Sequence, residues 1–227
     1  LDLDGDGLHD RVQSTSTNAN WNVQIGSGSG FAPLINFYGP LYFPDSTTSY
    51  RLISWINSTK QQVTDFADIN GDGLPDRILA QDGNTSWTVQ LNNGAGALNA
   101  STTSWTGIQR MVSNSNYDYI RYAPVLDTYG AKTLVDFFDI NGDGLPDRVM
   151  AEEGNSSWKV QLNTSNGTAF SSMQTWGTTE RLVSPSAPHD LIRVVSNARE
   201  TQVDMVDLNG DGLPDRVQAT ASNTNWT

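Results

Sequence analysis

The sequence has no cysteine, which excludes disulfides and thiolate-bound metals. Lysine occurs only at Lys60, Lys132 and Lys159, and 13 Lys plus Arg face 25 Asp plus Glu. A net charge of −12 leaves no basic face for a nucleic-acid backbone or an anionic membrane. No apolar run approaches the ~18 residues of a bilayer span, so membrane insertion is not expected. No segment carries a 3.6-residue apolar period, so helices are not expected either. Histidine is confined to His9 and His189, and neither stands at a recognisable triad spacing from a serine and a carboxylate. With no visible nucleophile–base set, the chain is expected to be non-catalytic.

What the chain has instead is one nine-residue stretch four times over, starting at Asp2, Asp68, Asp139 and Asp207. The second copy reads Asp68-Ile69-Asn70-Gly71-Asp72-Gly73-Leu74-Pro75-Asp76, and Arg77 follows. The first copy departs from the rest with Asp4 in place of Asn and His9 in place of Pro. Oxygen-bearing side chains recur at positions 1, 3, 5 and 9: Asp2, Asp4, Asp6, Asp10; Asp68, Asn70, Asp72, Asp76; Asp139, Asn141, Asp143, Asp147; Asp207, Asn209, Asp211, Asp215. Such a set suits a hard cation, and Ca²⁺ takes about six to eight oxygens. The carbonyl of position 7 (Leu8, Leu74, Leu145, Leu213) is the expected backbone ligand, and glycine at positions 4 and 6 permits the sharp bend.

Asn, Asp and Gly are also ordinary turn residues, and one copy alone would read as a turn. Turn chemistry does not ask for Asp at positions 1, 5 and 9 in every copy. The loops hold 13 of the 25 acidic residues, so the negative charge is largely a metal-site signal. About four Ca²⁺ are expected. Position 12, where an EF-hand carries Glu, holds Gln13, Leu79, Met150 and Gln218. The flanks are short, apolar and β-branched or aromatic, as in Val135-Asp136-Phe137-Phe138, and predict strands. Each loop is thus expected to be a β-hairpin turn closed by its ninth residue.

The motif starts lie 66, 71 and 68 residues apart. Each complete repeat then carries an alternating strand: Trp21-Asn22-Val23-Gln24-Ile25, Trp87-Thr88-Val89-Gln90-Leu91, and Trp158-Lys159-Val160-Gln161-Leu162. Trp226 opens a further copy. The tryptophans read as packing between sheets rather than as sugar platforms. An aromatic follows at Phe37, Trp105 and Trp176, and Tyr50-Arg51-Leu52-Ile53, Tyr119-Ile120-Arg121-Tyr122 and Leu191-Ile192-Arg193-Val194 align as outer strands. Pro44, Pro124, Pro185 and Pro188 fall in the linkers. The organisation expected is one repeat region: repeat 1 over 1–67, repeat 2 over 68–138, repeat 3 over 139–206 and a partial repeat 4 over 207–227. Each reads as about four antiparallel strands, an all-β blade of a partial propeller or repeat array. Asp65, Asp136 and Asp204 recur three residues before a motif and Arg77, Arg148 and Arg216 just after it. Either they pair, or both are solvated edge residues.

Asp-x-Asn-Gly-Asp-Gly-Leu-Pro-Asp between strands, followed by a strand ending in Gln-Leu-Asn, resembles the FG-GAP or VCBS repeat of integrin-α-like β-propellers. Leu-Pro-Asp-Arg with Trp-x-Val-Gln-Leu-Asn is especially similar to repeats of bacterial toxin-complex and RHS-type surface proteins. The resemblance implies calcium-binding hairpins within blades, and roles in adhesion, ligand binding or scaffolding. It also implies more blades than this chain holds, so the expected partners are further repeats of the same chain or other copies of it, joined in an array or filament. Loops of this kind fill at millimolar calcium, which places the chain outside the cell or on its surface. The absence of cysteine favours a prokaryote. The alternative is a carbohydrate-binding, lectin-like propeller; glycans and surface proteins are the partners to consider.

Overall fold

The structure is a computed structural model and describes residues 1–15, 20–39, 52–111, 115–124, 130–164, 167–177, 179–180, 190–196 and 200–219. Among these residues it is all-β apart from one turn of 3-10 helix at Ser115–Asp118. The first sheet orders β1 (Arg11–Gln13), β2 (Asn20–Gln24) and β3 (Ile35–Tyr38). In the second, β4 (Trp55–Ile56), β5 (Gln61–Ala67), β6 (Asp76–Leu79), β7 (Ser86–Gln90) and β8 (Thr103–Thr106) lie side by side. β9 (Arg121–Tyr122), β11 (Val135–Phe138), β12 (Asp147–Met150), β13 (Trp158–Gln161) and β14 (Gln174–Trp176) repeat the plan in the third blade and continue the second through β5 and β9 as one ten-stranded sheet, while β10 (Ala131–Thr133), between β9 and β11 in the chain, belongs to the sheet of the last strands. The last described strands are β15 (Arg193–Val195), β16 (Thr201–Val206) and β17 (Asp215–Gln218).

All named strand pairs are antiparallel, and the blades are propeller-like. Blades two and three hold five strands rather than four, because the segments carrying Trp105 and Trp176 form strands of their own after the Trp-x-Val strand. The hairpins close where the spacing predicts: Ala67 opposes Asp76, Phe138 opposes Asp147 and Val206 opposes Asp215.

Blades are also zipped to one another. The start of β5 pairs with β9, the outer strand of the next blade, through Gln61–Tyr122 and Gln62–Arg121, while Tyr122 also faces Val135 of its own blade. β10 meets β15 in the same way. One correction concerns the outer strand. Tyr122 and Val194 oppose Val135 and Val203, and the residue in that register in the second blade is Trp55, opposite Thr64. The aligned quartet 50–53 is therefore displaced by two residues, and Tyr50 and Arg51 lie outside the described residues, as do Pro44, Pro185, Pro188, His189 and Trp226.

The tryptophans are core. Trp21, Trp87 and Trp158 are 0%, 1% and 5% exposed. Trp21 meets Phe66 of the next blade edge-on at 5.2 Å, and Trp87 meets Phe137 at 5.2 Å. Each such pair contributes about 0.5–1.5 kcal/mol beyond the area it buries.

Candidate metal centre

Each loop has the same internal wiring. The glycines at positions 4 and 6 take positive φ in every copy, 78° and 85° at Gly71 and Gly73. That bend turns their amides onto the position-1 carboxylate. Gly71 and Gly73 each donate to Asp68 at 2.7 Å; Gly5 and Gly7 donate to Asp2 at 2.9 and 2.8 Å. Asp139 and Asp207 accept the matching pairs. For Asp207 these amides, Gly212 foremost, hold the carboxyl below its ordinary range. Position 5 accepts the position-7 amide: Leu8 on Asp6, Leu74 on Asp72, Leu145 on Asp143, Leu213 on Asp211. The Asn of position 3 reaches that same carboxylate at 3.0 Å in Asn70–Asp72, Asn141–Asp143 and Asn209–Asp211.

Position 9 is different. Asp76 and Asp147 are fully buried and Asp10 is 7% exposed. Leu3 at position 2 donates to Asp10 at 2.7 Å, Ile140 to Asp147 at 3.3 Å and Leu208 to Asp215 at 3.0 Å. The other oxygen accepts an amide just past the Trp strand: Gly26 on Asp10, Asn92 on Asp76, Asn163 on Asp147. Burial pushes the Asp76 carboxyl up to about 7 and that of Asp147 up to about 6, against the lowering effect of those amides.

The donor set fits a hard cation. In the first loop Asp2, Asp4 and Asp10 bring one carboxylate oxygen each within 4.8 Å of one another. Desolvation, and then the charges of Asp6, Asp10 and Asp2, raise the pKa of Asp4, the condition a bound cation relieves. In the second loop Asp76 Oδ2 is buried without a hydrogen-bond partner. Oxygen-only ligation by Asp2, Asp4 and Asp10, and by Asp76 in its loop, suits Ca²⁺. The position-5 carboxylates are not part of the converging trio.

The position-7 leucines have a second role that the motif does not announce. Leu74 packs on Gly5 of the preceding loop, Leu145 on Gly71 and Leu213 on Gly142. A Cβ at Gly71 or Gly142 would lie 2.8 or 2.7 Å from that leucine. The four loops therefore sit in a row, each braced on the one before.

Of the two readings left open for the recurring Asp and Arg, pairing with one another does not hold for Asp136 and Arg148 or for Asp204 and Arg216. Asp136 pairs with Arg121 at 2.7 Å and Asp204 with Arg193 at 2.7 Å, both on outer strands. Arg148 is instead buried across the seam, bonded to Tyr117 and Gln161, and Arg216 lies over Trp158. Two further aspartates went unmarked in the sequence. Asp118 and Asp190 accept the Gly83 and Gly154 amides at 2.9 and 2.6 Å, and their carbonyls accept the Trp87 and Trp158 indoles at 2.7 Å. Their signal was position: each directly precedes a recurring outer-strand segment. His9 is exposed, and among the described residues no other His, Cys, Asp or Glu group converges. No helix among them is long and apolar enough to cross a membrane.

Residues 139–218 match the FG-GAP-like repeat, from the third loop to the strand leaving the fourth. No curated protein matches the chain in sequence. Among solved structures, an Agrocybe aegerita lectin that specifically recognises non-reducing terminal N-acetylglucosamine is 17% identical over 96% of this chain and 58% of its own, with a TM-score of 0.44. The Photorhabdus luminescens Tc holotoxin pore is 13% identical over 98% of this chain and 13% of its own, with a TM-score of 0.28. The chain thus spans 58% and 13% of those two chains.

Proposed function

We propose that this chain is a non-catalytic, calcium-binding scaffold or adhesion module that works outside the cell, on a prokaryotic surface. The observation that carries the reading is the convergence of Asp2, Asp4 and Asp10 oxygens within 4.8 Å, in a loop whose wiring recurs three more times. Each ion replaces carboxylate repulsion with attraction and fixes a hairpin turn. Because the loops brace one another, ion binding stiffens the row of blades. Further repeats, in the same chain or another copy, extend it into an array. Millimolar calcium, found outside cells, suits loops with so few charged ligands.

The lectin alternative has less support. The tryptophans that would make sugar platforms are buried. Titration calorimetry with Ca²⁺ and Mg²⁺, followed by a glycan array, tests both readings. About four Ca²⁺ sites with little Mg²⁺ response and no selective glycan supports the scaffold. A selective glycan signal favours the lectin, and absence of Ca²⁺ binding at millimolar concentration overturns the metal reading.

A further inference from the structure

Asn92 joins two loops. Its backbone amide donates to Asp76 Oδ1, the ninth residue of its own loop, at 2.9 Å. Its side-chain amide donates to the Leu3 carbonyl, position 2 of the preceding loop, at 2.9 Å. The amide on the other side of Leu3 holds Asp10 at 2.7 Å. An unbroken hydrogen-bonded path therefore runs from one loop's ninth carboxylate to the next.

The two asparagine contacts repeat one blade on, where the hydrogen-bonded path ends at the Ile69 carbonyl because Asp76 Oδ2 has no hydrogen-bond partner. Asn163 donates its backbone amide to Asp147 at 2.7 Å and its side chain to the Ile69 carbonyl at 2.7 Å. Both asparagines are 3% exposed, so water does not compete for these bonds. Gly26 stands at the same place in the first repeat and keeps only the amide contact, to Asp10 at 2.8 Å. The side-chain reach is therefore separable from the backbone contact. Packing runs alongside it, since Leu74 sits on Gly5 and Leu145 on Gly71.

We propose that Asn92 and Asn163 are positioning residues that couple neighbouring cation loops, so that the first three loops fill with Ca²⁺ cooperatively. The inference rests on the calcium reading above. Filling a loop fixes its ninth aspartate, which fixes the asparagine, whose side chain pins position 2 of the loop before it. That loop then has less freedom left to lose when its own ion binds. The coupling is reciprocal, as any binding linkage must be.

Calcium titration of the whole chain, unaltered and as Asn92→Ala with Asn163→Ala, tests the idea. The unaltered chain should titrate with a Hill coefficient clearly above about 1, and the variant should fall to about 1 with the same number of ions. Asn93→Ala, an exposed neighbour whose side chain holds only the Ala95 amide, should keep the original slope. Hydrogen exchange on the unaltered chain at half saturation needs no variant: the first three loops should gain protection together. A slope of about 1 in the unaltered chain, an unchanged slope in the variant, or loops protected at separate calcium concentrations would overturn the coupling. Absence of any calcium binding would instead remove the reading on which it rests.

Discussion

Arg148 lies across the seam from Trp87, its guanidinium carbon 5.3 Å from the ring centroid. The side chain is fully buried, donates to the Gln109 carbonyl at 3.1 Å, and also bonds Tyr117 and Gln161. Burial pulls its pKa downward, so the stacked ring and the acceptors around it must hold the charge.

Lysine cannot replace that fork. We expect Arg148→Lys to cost about 2–3 kcal/mol, through lost stacking and unmet carbonyls. The fall in thermal midpoint should be equal in calcium and in chelator, because these bonds go to the seam and not to the loop. A loss confined to calcium would place Arg148 in the metal site instead.

The leucine brace is separable from loop geometry. Gly71 and Gly73 both have positive φ, but only at Gly71 would a Cβ meet a neighbour, Leu145 Cδ2 at 2.8 Å. Gly73→Ala should cost about 1–2 kcal/mol for backbone strain alone. Gly71→Ala should cost about 1–3 kcal/mol more, from overpacking. Adding Leu145→Ala should recover part of that excess in a double-mutant cycle read by chemical denaturation. Strict additivity would show that the two loops do not bear on each other.

Protons and calcium should compete. The unfolded Asp76 and Asp147 carboxyls titrate near 3.8, but in the fold they are pushed up to about 7 and about 6. Below pH ~4 both states are protonated and the shift has no effect. As pH rises toward 7 the unfolded chain releases these protons first, so the calcium-free fold loses stability across that window. Calcium binding at pH ~6 should release protons and weaken as pH falls. Melts in chelator between pH 4 and 8 read the first effect, and calorimetry in buffers of different ionisation enthalpy reads the second. A calcium-free fold that gains stability over this range would show that these carboxyls are ionised without a metal.

The sequence made some of this legible and not the rest, for a physical reason. Hairpins closed by Asp76 and Asp147 follow from contacts only nine residues long, and the buried Trp87 follows from strict alternation. Contacts that cross from blade to blade leave no such mark. Asn92 reaches Leu3 over 89 residues and Asn163 reaches Ile69 over 94. The recurrence of Gln-Leu-Asn was visible, but not what the asparagine touches. Arg121 took the Asp136 that proximity in sequence had offered to Arg148, because β9 lies beside β11. In the second blade Ser54 stands in the register of Arg121, bonded to Gln62, and no alignment on arginine finds it.

The most direct measurement is a thermal melt of the whole chain in excess chelator, then with millimolar Ca²⁺ or Mg²⁺ added. With a Kd of about 0.1 mM and about 1 mM free ion, each loop adds roughly 1.4 kcal/mol, and four together a large share of a domain's ordinary stability. We expect calcium to raise the midpoint by many degrees and magnesium to restore little of it. A midpoint that is the same in chelator and in calcium would contradict calcium-held loops as the organising feature of this chain.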